Sequence, residues 1–123
     1  EFNIAVVADD LAQESRQFRT DVPSGIDPLE QLAQQWQDFD GCPLALNPDK
    51  PRGQMLIDMT KKYKADAVVV CMMRFCDPEE FDYPIYKPEF EEAGVRYTVL
   101  DLDIESPSLE QPRTRIQAFS EIL

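Results

Sequence analysis

The 123-residue chain has no histidine at all. That excludes Ser–His and Cys–His nucleophile pairs, histidine general bases and histidine metal ligands within it. Its four glycines build no Gly-rich phosphate loop of the dinucleotide or P-loop kind. No run of eighteen apolar residues occurs, so no membrane-spanning helix is expected, and no signal-peptide pattern opens the chain. Three cysteines, an odd number with no Cys-x-x-Cys run, do not make a disulfide framework, and a reducing cytoplasm is the expected compartment. Cations are scarce: 12 Lys and Arg face 24 Asp and Glu, for a net charge of −12. That balance argues against nucleic acid or an anionic membrane as partner. Its ordinary reading is solubility.

What is present suits one globular domain, with 43% hydrophobic residues and 10% aromatics. Residues 3–8 form an apolar run ending in Asp9-Asp10, which predicts a strand. Residues 11–18 read as a short helix or a loop. Asp27-Pro28-x-Glu30 predicts a helix start, after which Leu29, Leu32, Ala33, Trp36 and Phe39 fall on one face, with a stop near Asp40-Gly41. The proline-rich stretch 42–51 is a loop. Residues 53–63 predict a helix with Met55, Leu56, Met59 and Tyr63 inward. Residues 67–73 are apolar on both faces and predict a central, buried strand. Pro84 and Pro88 are expected to break the next helical region into a short turn and a helix over 88–93, closed by Gly94. Residues 95–102 predict another strand, Ser106-Pro107-Ser108 a loop, and 112–123 a helix with Ile116, Phe119 and Leu123 as its stripe. The alternation implies a single α/β domain over residues 1–123. The expected form is a three-layer αβα with a small parallel sheet of three or four strands, Rossmann- or flavodoxin-like in outline.

The most informative segment is Arg74-Phe75-Cys76-Asp77-Pro78-Glu79-Glu80-Phe81-Asp82-Tyr83-Pro84. It follows the predicted strand 67–73 and opens a helix, with Asp77 expected as N-cap and Pro78 as the first helical residue. Cys76 thus falls in a strand-to-helix turn, beside backbone N–H groups that favour negative charge and at the sheet end where ligands bind in α/β folds. This suits a metal-ligating or reactive cysteine. Cys71, inside a strand, reads as a core residue. Cys42, in the loop, either packs beneath it or touches a cofactor. Asp9 and Asp10 either cap the next helix or meet a metal or ribose hydroxyl. Arg113 and Arg115 suit phosphates or a solvated helix face. Tyr83 and Tyr86 read as packing residues.

Arg-Phe-Cys-Asp-Pro-x-x-Phe-Asp-Tyr-Pro, joined to Glu91-Glu92-Ala93-Gly94-Val95 and Arg113-Thr114-Arg115-Ile116-Gln117-Ala118-Phe119, resembles the C-terminal part of the 2-hydroxyacyl-CoA dehydratase and benzoyl-CoA reductase family. The resemblance runs back through Ala65-Asp66-Ala67, Asp27-Pro28-Leu29-Glu30 and Val7-Ala8-Asp9-Asp10, and so covers nearly the whole chain. It implies a C-terminal domain of a longer cluster-binding subunit, with Cys76 as one ligand of a [4Fe–4S] cluster. The other ligands would come from an N-terminal domain outside this chain, so no cluster is expected in the domain alone. It further implies a second homologous subunit, an ATP-dependent iron–sulfur activator that delivers one electron, and an acyl-CoA substrate. Through the cluster the electron would reach the thioester carbonyl, and the resulting radical would expel the 2-hydroxyl group. Many members carry a cysteine soon after the Asp-Asp of the first strand. Residues 11–16 have none here, although Arg16 still matches. This departure leaves room for the alternative, a non-catalytic α/β interaction or cluster-holding module.

Overall fold

The computed structural model describes residues 2–25, 27–45, 47–103, 105 and 108–123. Among the described residues five helices and two strands follow in the order α1 (Ser15–Phe18), α2 (Pro28–Gln37), α3 (Arg52–Tyr63), β1 (Val68–Met73), α4 (Asp77–Glu92), β2 (Tyr97–Leu102) and α5 (Glu110–Ser120). β1 and β2 pair in parallel, from Val68 opposite Tyr97 to Met73 opposite Leu102. With α4 as the crossover, they form a βαβ unit of the kind parallel strands require. The chain is therefore α/β, but its sheet has two strands among the described residues, not three or four.

Side-chain alternation gives each face of the sheet a different environment. Val68 and Val70 of β1 and Tyr97 of β2 pack on a core of Ile57 from α3 and Tyr86 and Phe90 from α4. The rings of Tyr83, Tyr86, Phe90 and Tyr97 form a chain with successive centroids 5.5, 5.2 and 5.7 Å apart. Phe90 is fully buried. Gly53 lets α3 approach α4 here, because a Cβ at this position would lie 2.8 Å from Tyr86 Cβ and closer still to the Glu89 carboxylate. On β2, Leu100 is buried and α5 packs against the strand, burying Phe119.

Four expectations need correction. Residues 3–8 form no strand, and Ile4, Val6 and Val7 are exposed; β propensity reflects packing on a pleated surface, and a run left without that packing does not make a strand by itself. Cys71 is exposed. It points to the face opposite Val70 and Met72, and Val69 beside it is exposed too. α4 runs unbroken through Pro84 and Pro88. The two prolines lie on the exposed side, i and i+4, where water can satisfy the carbonyls their missing N–H groups leave free. Asp82, Tyr86 and Phe90 anchor the inner side across both positions. Finally, α2 starts as expected, with Asp27 Oδ1 accepting from the Leu29 N–H at 2.9 Å, but none of its residues is buried. Its apolar face is open, with Leu29 78% and Trp36 73% exposed.

α4 ends as its sequence predicts. Gly94 takes φ +69°, the Gly94 N–H bonds the Glu91 carbonyl, and the Val95 N–H bonds the Phe90 carbonyl, a Schellman cap that turns the chain into β2. The loop expected at Ser106-Pro107-Ser108 lies partly outside the described residues. Among the described residues no helix is long and apolar enough to cross a membrane.

Candidate functional site around Cys76

β1 delivers the chain to the carboxyl end of the sheet, where Arg74 remains tied to β2 by its N–H to the Leu102 carbonyl at 2.8 Å. Arg74 also reaches Asp103 Oδ2 at 3.2 Å. The chain then reverses in a tight turn closed by the Cys76 N–H on the Met73 carbonyl at 3.1 Å. Phe75 is left-handed there, with φ +64°, and its side chain is 90% exposed. A bulky L-residue in this region is strained by roughly 1–2 kcal/mol.

Cys76 is the N-cap of α4, one residue earlier than the Asp77 expected from sequence. Its carbonyl accepts the N–H groups of Glu79 and Glu80, both at 3.0 Å. Glu80 Oε1 reaches back to the Phe75 N–H at 3.2 Å, an arrangement close to a capping box. The Cys76 thiol is half-buried, at the helix end whose dipole favours negative charge.

Below Cys76, a cluster of charges fills the space between α1, α3 and α4. Arg52 Nη1 donates to Glu79 Oε2 at 2.6 Å and to Asp82 Oδ2 at 3.3 Å, while its Nη2 donates to Asp10 Oδ2 at 3.0 Å. Arg16 Nη1 donates to Glu79 Oε1 at 3.0 Å, and its Nη2 to Asp10 Oδ2 at 3.1 Å. Arg19 Nη1 donates to Asp10 Oδ1 at 2.6 Å, and its Nη2 to the Asp40 carbonyl at 3.0 Å. Arg16, Arg52 and Asp82 are buried. Three guanidinium groups thus balance three carboxylates, with Lys50 3.9 Å from Asp82 at the rim. Burial alone would disfavour the Arg52 charge, but the hydrogen bond and charge of Glu79, with Asp10 behind it, reverse this and hold its pKa above the ordinary value. The guanidinium lies over the Tyr86 ring, 5.7 Å from its centroid. Burial pushes the Tyr86 hydroxyl up to about 12 against the lowering pull of Arg52.

Asp9 and Asp10 take different partners. Asp9 Oδ1 accepts the Leu11 N–H at 3.1 Å and the Ser15 N–H at 3.2 Å, the capping alternative. The Ser15 hydroxyl first, and the Leu11 N–H next, hold its carboxyl below the usual range. Asp10 belongs to the ion cluster. Of the two C-terminal arginines, Arg115 donates to the Val99 carbonyl at 2.6 Å, and Arg113 lies over the Phe2 ring. Cys42 is half-buried in a small cleft that it lines with Gly41, Lys50, Arg52 and Asp82. Cys71 stands apart on the open face of β1. The crowding of the strand pair still removes enough water to push its thiol pKa up.

Sequence reasoning missed Arg52, Glu79 and Asp82. A signal was there: Glu79, Asp82, Tyr86 and Phe90 share one face of α4, and carboxylates in line with a buried apolar stripe require cations opposite them.

Among the described residues no group of three or more Cys, Asp or Glu side chains is placed to hold a metal ion. The donor chemistry at Cys76 suits one ligand of a centre completed from elsewhere: a half-exposed thiol at the start of a helix. The chain is 54% identical over 124 residues to the lactoyl-CoA dehydratase subunit beta of Anaerotignum propionicum, with all of this chain and 33% of the relative covered. It is 47% identical over 123 residues to the (R)-phenyllactyl-CoA dehydratase beta subunit of Clostridium sporogenes, at the same coverage. Identity to the (R)-2-hydroxyglutaryl-CoA dehydratase subunit beta of Acidaminococcus fermentans is 32% over 124 residues, covering 98% of this chain and 33% of the relative. The chain thus spans about a third of the length of these curated relatives. The family model for the 2-hydroxyglutaryl-CoA dehydratase D-component matches residues 1–123, and the chain belongs to that family.

Proposed function

We propose that this chain is the C-terminal, cluster-bearing part of a 2-hydroxyacyl-CoA dehydratase beta subunit, with Cys76 as one thiolate ligand of a [4Fe–4S] cluster. One observation carries the reading: Cys76 caps α4 at the carboxyl end of β1, half-exposed, within a sequence about half identical to two dehydratase beta subunits. The remaining ligands come from outside this stretch, since one thiol does not hold a cluster. When bound, such a cluster supplies one-electron chemistry at the thioester carbonyl, using an electron from an ATP-dependent activator. The chain's own residues hold the Cys76 turn, keep its surroundings partly dry and order the first turn of α4. The two-stranded unit then reads as a fragment of a three-layer Rossmann- or flavodoxin-like sheet, completed by elements beyond it; the open face of β1 supports this.

The test is iron content and electron paramagnetic resonance of a subunit of beta-subunit length carrying this sequence. Cys76→Ser should lower the iron and remove or alter the cluster signal, while circular dichroism stays unchanged. Full iron and an unaltered signal in that variant would sink the assignment and leave Cys76 as a space-filling cap. The 123-residue chain purified alone should carry no stoichiometric iron. A second reading, a non-catalytic interaction module, draws on the lack of cysteine in residues 11–16 and on the open apolar face of α2. Under it the longer subunit would bind its partner but turn over no 2-hydroxyacyl-CoA.

A further inference from the structure

Buried ion clusters are poor evidence for stability, because apolar residues of similar volume often serve as well or better. The cluster beneath Cys76 therefore invites a more specific explanation, and its connections supply one. Arg16 and Arg52 grip the two oxygens of Glu79, at 3.0 and 2.6 Å. The Glu79 N–H in turn bonds the Cys76 carbonyl at 3.0 Å. On the opposite side, Arg19 joins Asp10 to the Asp40 carbonyl, at 2.6 and 3.0 Å, two residues before Cys42. Cys42 lines a cleft walled by Arg52 and Asp82, both cluster members. Residues 2–10 form no helix or strand, so Asp10 is held mainly by the arginines it binds. No hydrogen bond or ion pair of the cluster reaches Cys71.

We propose that this guanidinium–carboxylate cluster positions two thiols together, Cys76 through Glu79 and Cys42 through Arg19 and the Asp40 carbonyl, with Asp10 as the hub. Arg16, Arg19 and Arg52 are positioning residues. They fix the turn that carries Cys76 and the loop that carries Cys42 against a common support, as a site with a fixed metal or substrate geometry requires. The significance of the device rests on the functional reading of Cys76, but its existence does not, and the two are tested apart.

The test is site-resolved alkylation of the 123-residue chain by iodoacetamide, followed by mass spectrometry, with Cys71 as internal control. Asp10→Asn removes the hub. The alkylation rates of Cys42 and Cys76 should both rise by about fivefold or more, the effect of roughly 1 kcal/mol of lost local order, while that of Cys71 stays within about twofold. Glu79→Gln, a milder change should the hub variant unfold, should raise the Cys76 rate ahead of those of Cys42 and Cys71. Equal acceleration at all three cysteines would mean that the cluster only stabilises the fold, and unchanged rates at Cys42 and Cys76 would mean that it positions neither; both overturn the proposal. No cluster is needed for this readout, so a failed iron assignment leaves it intact.

Discussion

Cys71 and Cys76 lie five positions apart, and their sequence context predicts a core thiol at Cys71 and a thiol in the strand-to-helix turn at Cys76. The structure separates them by a single turn. Cys71 sits on the open face of β1 and Cys76 at the head of α4. A buried Cys71 would make Cys71→Ser costly, because the hydroxyl would lack a partner. Exposed, the same substitution should change stability by less than about 0.5 kcal/mol, as read from a denaturant midpoint. A loss above about 1 kcal/mol would show that this face is covered in solution. Tyr86 makes the opposite case. Its hydroxyl titrates near 12 in the folded chain, against an ordinary value of about 10. A raised pKa gives stability that is fully present below pH 10 and is lost as the pH climbs through 12, since the unfolded chain releases its proton first. Tyr97 shifts in the same direction, burial leading. Unfolding free energy should therefore fall steeply above about pH 10, and Tyr86→Phe should flatten part of that fall.

At the scale of elements, the sequence was clearest where local chemistry is self-sufficient. The Asp27-Pro28 start of α2, the extent of α3, the pairing-competent runs of β1 and β2, and the Gly94 stop of α4 depend on caps and periodicity, and all appear, though α3 buries Ile57 and leaves Tyr63, expected inward, exposed. It was misleading where the outcome depends on what lies opposite. The run 3–8 has strand propensity but pairs with neither free edge of the two-stranded sheet. Pro84 and Pro88 look like breakers until the inward anchoring of Asp82, Tyr86 and Phe90 enters. Of the candidate site, the strand-to-helix turn that carries Cys76 was legible from the motif. The ion cluster was not, because Asp10, Arg16, Arg52 and Glu79 meet only through tertiary packing. The α3–α4 crossing offers a test at this scale. Gly53 is buried at the contact, and a methyl group there would press on the Tyr86 Cβ at 2.8 Å. Gly53→Ala should cost about 1–3 kcal/mol despite the better helix propensity of alanine. A stabilising effect in thermal melts would mean that the two helices sit further apart than described.

For the whole molecule, the core is small: Ile57, Tyr86 and Phe90 form its centre, with partly buried neighbours around them. Large apolar side chains remain exposed on α2, on β1 and at the Phe75 turn. Their arrangement is not random scatter. Leu29, Leu32 and Trp36 share one helix face, and Phe81 and Ile85 share another. Exposed apolar side chains that share one face are the ones whose replacement by polar residues is expected to raise solubility most.

Phe75 carries a practical consequence. It combines a left-handed backbone with an almost fully exposed ring, so its side chain buries too little surface to offset the strain of its backbone. Any selection of this chain for soluble expression or heat resistance will favour glycine or asparagine at position 75. The position adjoins Cys76. Directed evolution for a better-behaved chain is therefore expected to rewrite the neighbourhood of Cys76 first.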